Sequence, residues 1–372
     1  MGSWPAMSKT AFRFLCICLG GALGQRLAPS ALPATEVEWE QVLRLSSAHL
    51  VLPQLRRALY DQGLFAGIPS DVADYLEAVH TLNLERNLEC ERQLDELLAI
   101  LDEAGVRPVL LKGAAAIASG LYPCSSERML IDLDVLIPAP KMPEILDTMG
   151  AAGYRPLPGH RDLAESGDWQ ALCHHYPPLM KSGCPVTVEL HVEPVDLPFV
   201  PLLGAEEVYR DARTIRWHER DVLVPSATHF VAHNVIHSLL VDTAGKLAVV
   251  SMRQLFEFVH ACQAHEHSIR WPDLRNRFEK QGYGKTLRRY CALARVCLNF
   301  MPPNDIVVGA WDRLRVHWYL VRLDLDSPSV EWTMNFFSQM KTRLKNVTRK
   351  PGLIIKLTTA DFYVRWLNSL KR

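Results

Sequence analysis

Residues Arg107 to Ile137 read RPVLLKGAAAIASGLYPCSSERMLIDLDVLI, and the alternation within this stretch decides the fold. Val109-Leu110-Leu111 is a short apolar run suited to a buried strand. Lys112-Gly113 closes that run, and an Ala-rich turn of helix continues to Gly120. From Ile131 to Ile137 the pattern is strict. Ile131, Leu133, Val135 and Ile137 fall on one face of a strand, Asp132 and Asp134 on the other. Burying the apolar face holds two carboxylates side by side. Like charges so placed favour a folded chain only beside something positive, and a divalent cation is the usual partner.

A second strand repeats the pattern. In Val186 to Val192 (VTVELHV), Val186, Val188, Leu190 and Val192 share one face, and Thr187, Glu189 and His191 share the other. If the two strands are neighbours, Asp132, Asp134 and Glu189 face one space. Three such acids suit two divalent ions that hold a triphosphate and activate an attacking oxygen. Gly113 at a helix start lets backbone N–H groups approach phosphate oxygens, and Lys112 adds a point charge.

The flanks read as helix. Thr35-x-x-Glu38 is a capping-box pattern opening a helix with Val37, Trp39, Val42, Leu43 and Leu45, and a second piece spans Leu52 to Leu59. Asp71 to Ala104 contains neither Gly nor Pro. Leu76, Val79, Leu82, Leu84, Leu88, Leu94, Leu97, Leu98 and Leu101 recur there at helical spacing, for one long helix or two in line. Met142 to Met149 is a short helix, and His174 to Met180 an extended segment. Arg213 to Pro225 suits a hairpin about His218-Glu219-Arg220-Asp221, after which Ser226 caps a wholly helical remainder. The expected fold class is α+β, a small mixed sheet with flanking helices. The expected division is an N-terminal helical region (1–105), an α/β core (106–225) and a C-terminal helical domain (226–372).

Composition excludes several classes. At 48% hydrophobic and 22% charged, the 372-residue chain has the make-up of a globular protein with material for a core. Lys+Arg and Asp+Glu are both 41, so nothing marks it as a binder of long nucleic acid. The 9 Cys are odd in number and form no CxxC pair, which speaks for a reducing, cytoplasmic setting and against a thiolate zinc site. Phe12 to Leu23 (FRFLCICLGGAL) is too short to span a bilayer; a first helix packed on the domain is preferred to a signal-peptide core.

The chain resembles a nucleotidyltransferase of the DNA polymerase β-like superfamily. The nearest resemblance is to a bacterial nucleotidyltransferase family marked by LKG, an Arg shortly before a DxD, and a later ELH. Those motifs stand here as Leu111-Lys112-Gly113, Arg128, Asp132-Leu133-Asp134 and Glu189-Leu190-His191, accompanied by His174 to Pro178 (HHYPP) and by His233 and His237. The resemblance implies transfer of a nucleoside monophosphate from an NTP to an acceptor hydroxyl, with release of pyrophosphate. It implies Asp132, Asp134 and Glu189 as catalytic metal ligands, Glu189 also as base, for Mg2+ (two ions, with Mn2+ as substitute). Lys112, Gly113 and Arg128 fall to the nucleotide phosphates. The acceptor stays open between a small molecule, a sugar phosphate and a protein side chain. The superfamily's turn is usually Gly-Ser, whereas Ala114 follows Gly113 here, and the interval from Gly113 to Asp132 is longer than in most members.

Each residue has a plainer reading beside the chemical one. The acids can be solvated strand residues, Lys112 a strand-end ion-pair partner, and Arg128 a partner of one of the acids. His191 is a residue supporting the acids or a hydrogen-bonded structural histidine. His229, His233 and His237, one helical turn apart, read as buried histidines rather than a zinc site, because no acid stands in the run. The basic tail from Ser327 reads as a solvated helix face, and Trp311, Trp318 and Trp332 as core. Two other functions stay open: a DxD glycosyltransferase, and a catalytically silent nucleotide-binding relative.

Overall fold

The computed structural model describes residues 9–26, 32–33, 35–241 and 251–322. One compact unit extends to Leu320, and a second begins at Val321. The basic tail, Trp332 and the side chain of Trp318 lie outside the described residues.

Helices α1 (Lys9–Ala22), α2 (Glu36–Ala48), α3 (Leu52–Asp61) and α4 (Ser70–Glu103) precede the sheet. Within the α/β part come β1 (Val109–Leu110), α5 (Lys112–Ala118), β2 (Asp132–Leu136), α6 (Met142–Ala151) and β3 (Arg155–Pro156). There follow α7 (Arg161–Ser166), α8 (Trp169–Leu172), β4 (Leu179–Met180), β5 (Thr187–His191), α9 (Ala205–Arg210), β6 (Arg213–Trp217) and β7 (Arg220–Val224). The described residues after β7 carry α10 (Ala227–Ile236), α11 (Met252–Ala264), α12 (Trp271–Lys280), α13 (Gly284–Leu298) and α14 (Ala310–Arg322). Among the described residues the strands form one mixed sheet in the order β3-β4-β5-β2-β1-β7-β6, so the architecture is α+β.

The central pairing is β2 with β5, parallel and in register: Asp132 opposite Thr187, Asp134 opposite Glu189, Leu136 opposite His191. Alternation then sorts the faces. Leu133, Val135, Ile137, Val188 and Leu190 enter the main core, with Leu94, Leu97 and Leu101 of α4 in the same cluster. Ile131, expected on that face, lies just ahead of β2 and is exposed. The expected hairpin forms as β6 and β7, with His218 of its turn in the left-handed region (φ 47°).

α4 is a single 34-residue helix, but its buried stripe changes character midway. Leu76, Leu94, Leu97, Leu98 and Leu101 are buried as the spacing requires, whereas Leu82 and Leu88 face solvent and Asn83 and Asn87 are buried instead. The asparagines are needed because they meet backbone carbonyls. Asn83 Nδ2 donates to Ser126 O (2.7 Å) and Asn87 Nδ2 to Arg128 O (2.6 Å); Arg86 reaches Leu130 O. A buried carbonyl left unpaired costs about 1–3 kcal/mol, so these amides stabilise the segment leading into β2 more than leucine would. Farther along, Gln93 exchanges hydrogen bonds with Val186 at the start of β5 (Nε2 to O, 2.9 Å; N to Oε1, 3.4 Å). α4 therefore splints both acid-bearing strands.

The outer helices hold smaller surprises. The capping box at Thr35 and Glu38 is present. In α1, Phe12, Phe14, Leu15, Cys18 and Leu19 are buried, and Phe14 meets Trp39 of α2 edge-on. Among the described residues no helix is long and apolar enough to cross a membrane. Trp311, expected in the core, is 81% exposed, because it opens α14 on the helix's outer side while Val316 takes the buried position.

Candidate active site

The polar edge of β2 and β5 gathers the ionisable groups. Asp134, Glu189 and His191 present ligand atoms all within 4.8 Å of one another. Asp132 lies on the same face, half-buried, one alternation closer to the start of β2, and stands outside that tight group. Lys112, the first residue of α5, points in from beside the neighbouring strand β1: its Nζ is 2.7 Å from Asp134 Oδ1 and 4.0 Å from Glu189 Oε2. His191 Nε2 sits 2.8 Å from the same Asp134 oxygen and 3.5 Å from Glu189 Oε2.

The charges are strongly coupled. Burial pushes Asp134 up, but the Lys112 ammonium and the His191 hydrogen bond outweigh it and hold the carboxyl well below the usual range. Burial, then the neighbouring Asp134, raise Asp132 to about 7. Burial opposes the Lys112 charge, yet Asp134, Glu189 and Asp132 together raise it to about 12. Burial also disfavours a charged His191, but hydrogen bonds to Asp134 and Glu189 win, and its pKa is raised. Burial raises Glu189 and the His191 hydrogen bond overcomes it, so that carboxyl is lowered.

Two features mark this edge as more than a salt-bridge cluster. Both Lys112 and His191 bind Asp134 through Oδ1, which leaves the fully buried Oδ2 without a partner. A buried carboxylate oxygen with no donor is costly and fits a cation ligand. Lys112 also has a left-handed backbone (φ 44°), a strain of about 1–2 kcal/mol for a residue with a Cβ. That backbone turns its side chain back over the sheet edge.

Over most of its length, residues 35–299, the chain matches the model of a protein family described as uncharacterised nucleotidyltransferase. The chain belongs to that nucleotidyltransferase family. No curated protein and no solved structure matches it.

The other expected residues lie as follows. Gly113 is required by close packing: a Cβ there would meet Leu130 Cδ2 at 2.7 Å and the Arg128 guanidinium at 3.1 Å. The space beside its Cα is thus filled by side chains. Arg128 is 4% exposed and pairs with neither aspartate; its Nε donates to Glu257 of α11 (2.8 Å) and its Nη1 to Met129 O (2.6 Å). Tyr122 O–H donates to the same Glu257 oxygen (3.2 Å).

Histidines crowd the site from two sides. His174 and His175 lie with ring centroids 5.1 Å from His191, and His175 bridges to His191 in the sheet. His233 of α10 is buried and its pKa is held well below the ordinary value, by burial first and then by Lys112. His237, beyond it, begins a π turn (His237–Val241). His229 is buried away from the three acids, 3.8 Å from Glu207 and 3.7 Å from Asp211. Sequence reasoning missed Asn83, Asn87 and Gln93 as supports and Glu257 as the partner of Arg128. For the first three the available signal was uncharged amides at helical spacing within a charged helix; for Glu257 there was none.

Proposed function

We propose that the chain is a nucleotidyltransferase with a polymerase β-like core, moving a nucleoside monophosphate from an NTP to an acceptor hydroxyl. The observation that carries this reading is the in-register pairing of Asp134 with Glu189, with a buried Asp134 oxygen left without a donor. The working division is a helical region (1–105), the core (106–225) and a C-terminal helical domain (226–372).

Asp132, Asp134 and Glu189 would hold divalent ions, Mg2+ with Mn2+ as substitute, and His191 stands close enough to orient Asp134. Divalent ions there supply Lewis-acid polarisation of the phosphoryl oxygens and offset the charge of the triphosphate. Lys112 Nζ, released from Asp134, offers its charge to a phosphate oxygen. Glu189 takes the proton of the acceptor hydroxyl as its oxygen attacks the α-phosphorus. The bond from that phosphorus to the β-phosphate oxygen breaks, and pyrophosphate leaves. The acceptor is a small molecule, a sugar phosphate or a protein side chain.

The test is direct. Purified protein is titrated with Mg2+ and each NTP by thermal melting, then assayed for pyrophosphate release with candidate acceptors. A melting shift with Mg–NTP and metal-dependent release are expected. Absence of both sinks the reading, and a shift with UDP-sugars but not NTPs turns it towards glycosyl transfer. Binding without turnover for any acceptor supports the silent relative, for which the Lys112 ammonium beside Asp134 is the favouring observation.

A further inference from the structure

Arg253 was not among the residues expected at the site. It lies in the first turn of α11, four residues before Glu257, and therefore on the same face of that helix. Glu257 is 5% exposed and is engaged by Arg128 Nε at 2.8 Å and by the Tyr122 hydroxyl at 3.2 Å. One carboxylate thus faces two guanidiniums, and Arg128 takes it. Arg253 Nε is buried with no hydrogen-bond partner. A guanidinium with a buried, unpaired N–H is costly unless an anion reaches it.

The position of this arginine gives it meaning. The Arg128 guanidinium packs against Gly113, the residue after Lys112, and Arg128 precedes β2 and its Asp132 by four residues. Arg253 therefore shares a neighbourhood with the Lys112–Gly113 turn and the start of the acid-bearing strand. Electrostatics agree: Arg128 first, then burial, disfavour the Arg253 charge, while Glu257, Tyr122 and Asp132 favour it. Arg128 already commits its Nε to Glu257 and its Nη1 to Met129 O.

We infer that Arg253 is the guanidinium that grips the polyphosphate of the nucleotide, while Arg128 is a positioning residue that holds Glu257 and the Gly113 turn in place. The inference rests on the nucleotidyltransferase reading and moves the anion-binding role from the arginine of the DxD segment to one on the C-terminal helices. The class of ligand is a linear polyphosphate, recognised as a planar fork recognises phosphate oxygens. It also makes α11, which lies outside the α/β core, a wall of the active site.

The experiment uses the full chain and inorganic tripolyphosphate with Mg2+ as the probe, followed by isothermal calorimetry, with Mn2+ alone as the second titrant. Arg253→Gln is expected to weaken tripolyphosphate binding by about tenfold to a hundredfold, the range for a hydrogen-bonded charge. Affinity for Mn2+ alone should stay within about twofold, since Arg253 is not among the acids. A purely structural role would lower the melting temperature without separating the two titrations. If Arg253→Gln does not fold, Arg253→Lys keeps the stem and the charge but loses the fork, and about tenfold weaker binding is expected. Wild-type and variant affinities that agree overturn the inference and leave the nucleotidyltransferase reading standing. Wild-type protein that binds neither Mn2+ nor tripolyphosphate overturns both.

Discussion

Among the described residues, two places gather two carboxylates and a buried histidine within 4.8 Å: Asp134, Glu189 and His191, and again Glu207, Asp211 and His229. Their residue types are interchangeable, and their surroundings are not. At the second cluster the acids are taken. Arg277 forks onto both oxygens of Glu207, Arg270 Nη2 sits 2.9 Å from Asp211 Oδ2, and Arg210 Nε sits 3.1 Å from Asp211 Oδ1. At the first, Lys112 and His191 crowd onto one oxygen of Asp134 and leave the other empty-handed inside the protein. The contrast teaches that the acids of a cluster do not define its chemistry. What matters is how many of their lone pairs the fold has already satisfied.

The largest effect should come from removing the unsatisfied acid. Asp134→Ala is expected to lower metal-dependent nucleotidyl transfer by about a thousandfold or more, measured as pyrophosphate release. Asp211→Ala should leave turnover within about twofold and lower the melting temperature by about 2 °C, because exposed arginine pairs stabilise little. Equal loss of turnover in both variants would erase the distinction between the clusters.

How much of this was legible in the sequence depends on the range of the interaction. The faces of β2 and β5 followed from period-two alternation, which is local, so Asp132, Asp134, Glu189 and His191 were assigned to one side before any pairing was known. Their order of importance was not legible. Parallel register sets Asp134 opposite Glu189 and Asp132 opposite Thr187, and that pairing drew His191 into the tight group in place of Asp132. The partner of Arg128 was not legible either. Arg128 stands four residues from the DxD, but its partner Glu257 is 129 positions away, on a helix whose packing no local pattern encodes. On α4, Leu82 and Leu88 looked like core by spacing. Asn83 and Asn87 displaced them because the segment entering β2 needed donors rather than apolar surface.

A smaller effect probes the occupant of the first cluster. Lys112→Met removes the ammonium that now neutralises Asp134, so Mn2+ alone should bind about tenfold more tightly, read by calorimetry or by loss of the free-ion EPR signal. The attraction removed is several kcal/mol at this separation before desolvation offsets it. An affinity that is unchanged or weaker would mean that Lys112 supports the cation rather than competing with it.

The smallest effect is in pH. Asp132 is raised to about 7 in the metal-free protein, so it binds a proton that the unfolded chain has already lost. Stability from this group is therefore present below about pH 4 and is lost as pH rises through about 7. Metal binding has the opposite slope: it should release about one proton near pH 6 and tighten by up to tenfold per unit until the plateau above about 7. Calorimetry in buffers of different ionisation enthalpy measures that proton. At the second cluster burial pushes Asp211 up but its hydrogen bonds from Arg270 and Arg210 win and hold it below the usual value, and Asp211→Ala should leave the profile unchanged.

The splint formed by α4 also bears on how the protein reaches its native state. Asp134 and Glu189, 55 positions apart, meet only after the chain between them has been looped out, an entropic cost met before any contact between β2 and β5 rewards it. α4 needs no such closure; a helix of 34 residues forms from neighbours in sequence within about a microsecond. Its Asn83, Asn87 and Gln93 then offer hydrogen bonds to the two incoming strands separately. Assembly order follows: α4 first, β2 and β5 onto it, and the three-acid edge last. Pulsed hydrogen exchange during refolding should find the amides of α4 protected ahead of those of β5, and the reverse order would rule this sequence out. A half-folded chain would then carry the acids without the site, and metal would bind only the finished protein.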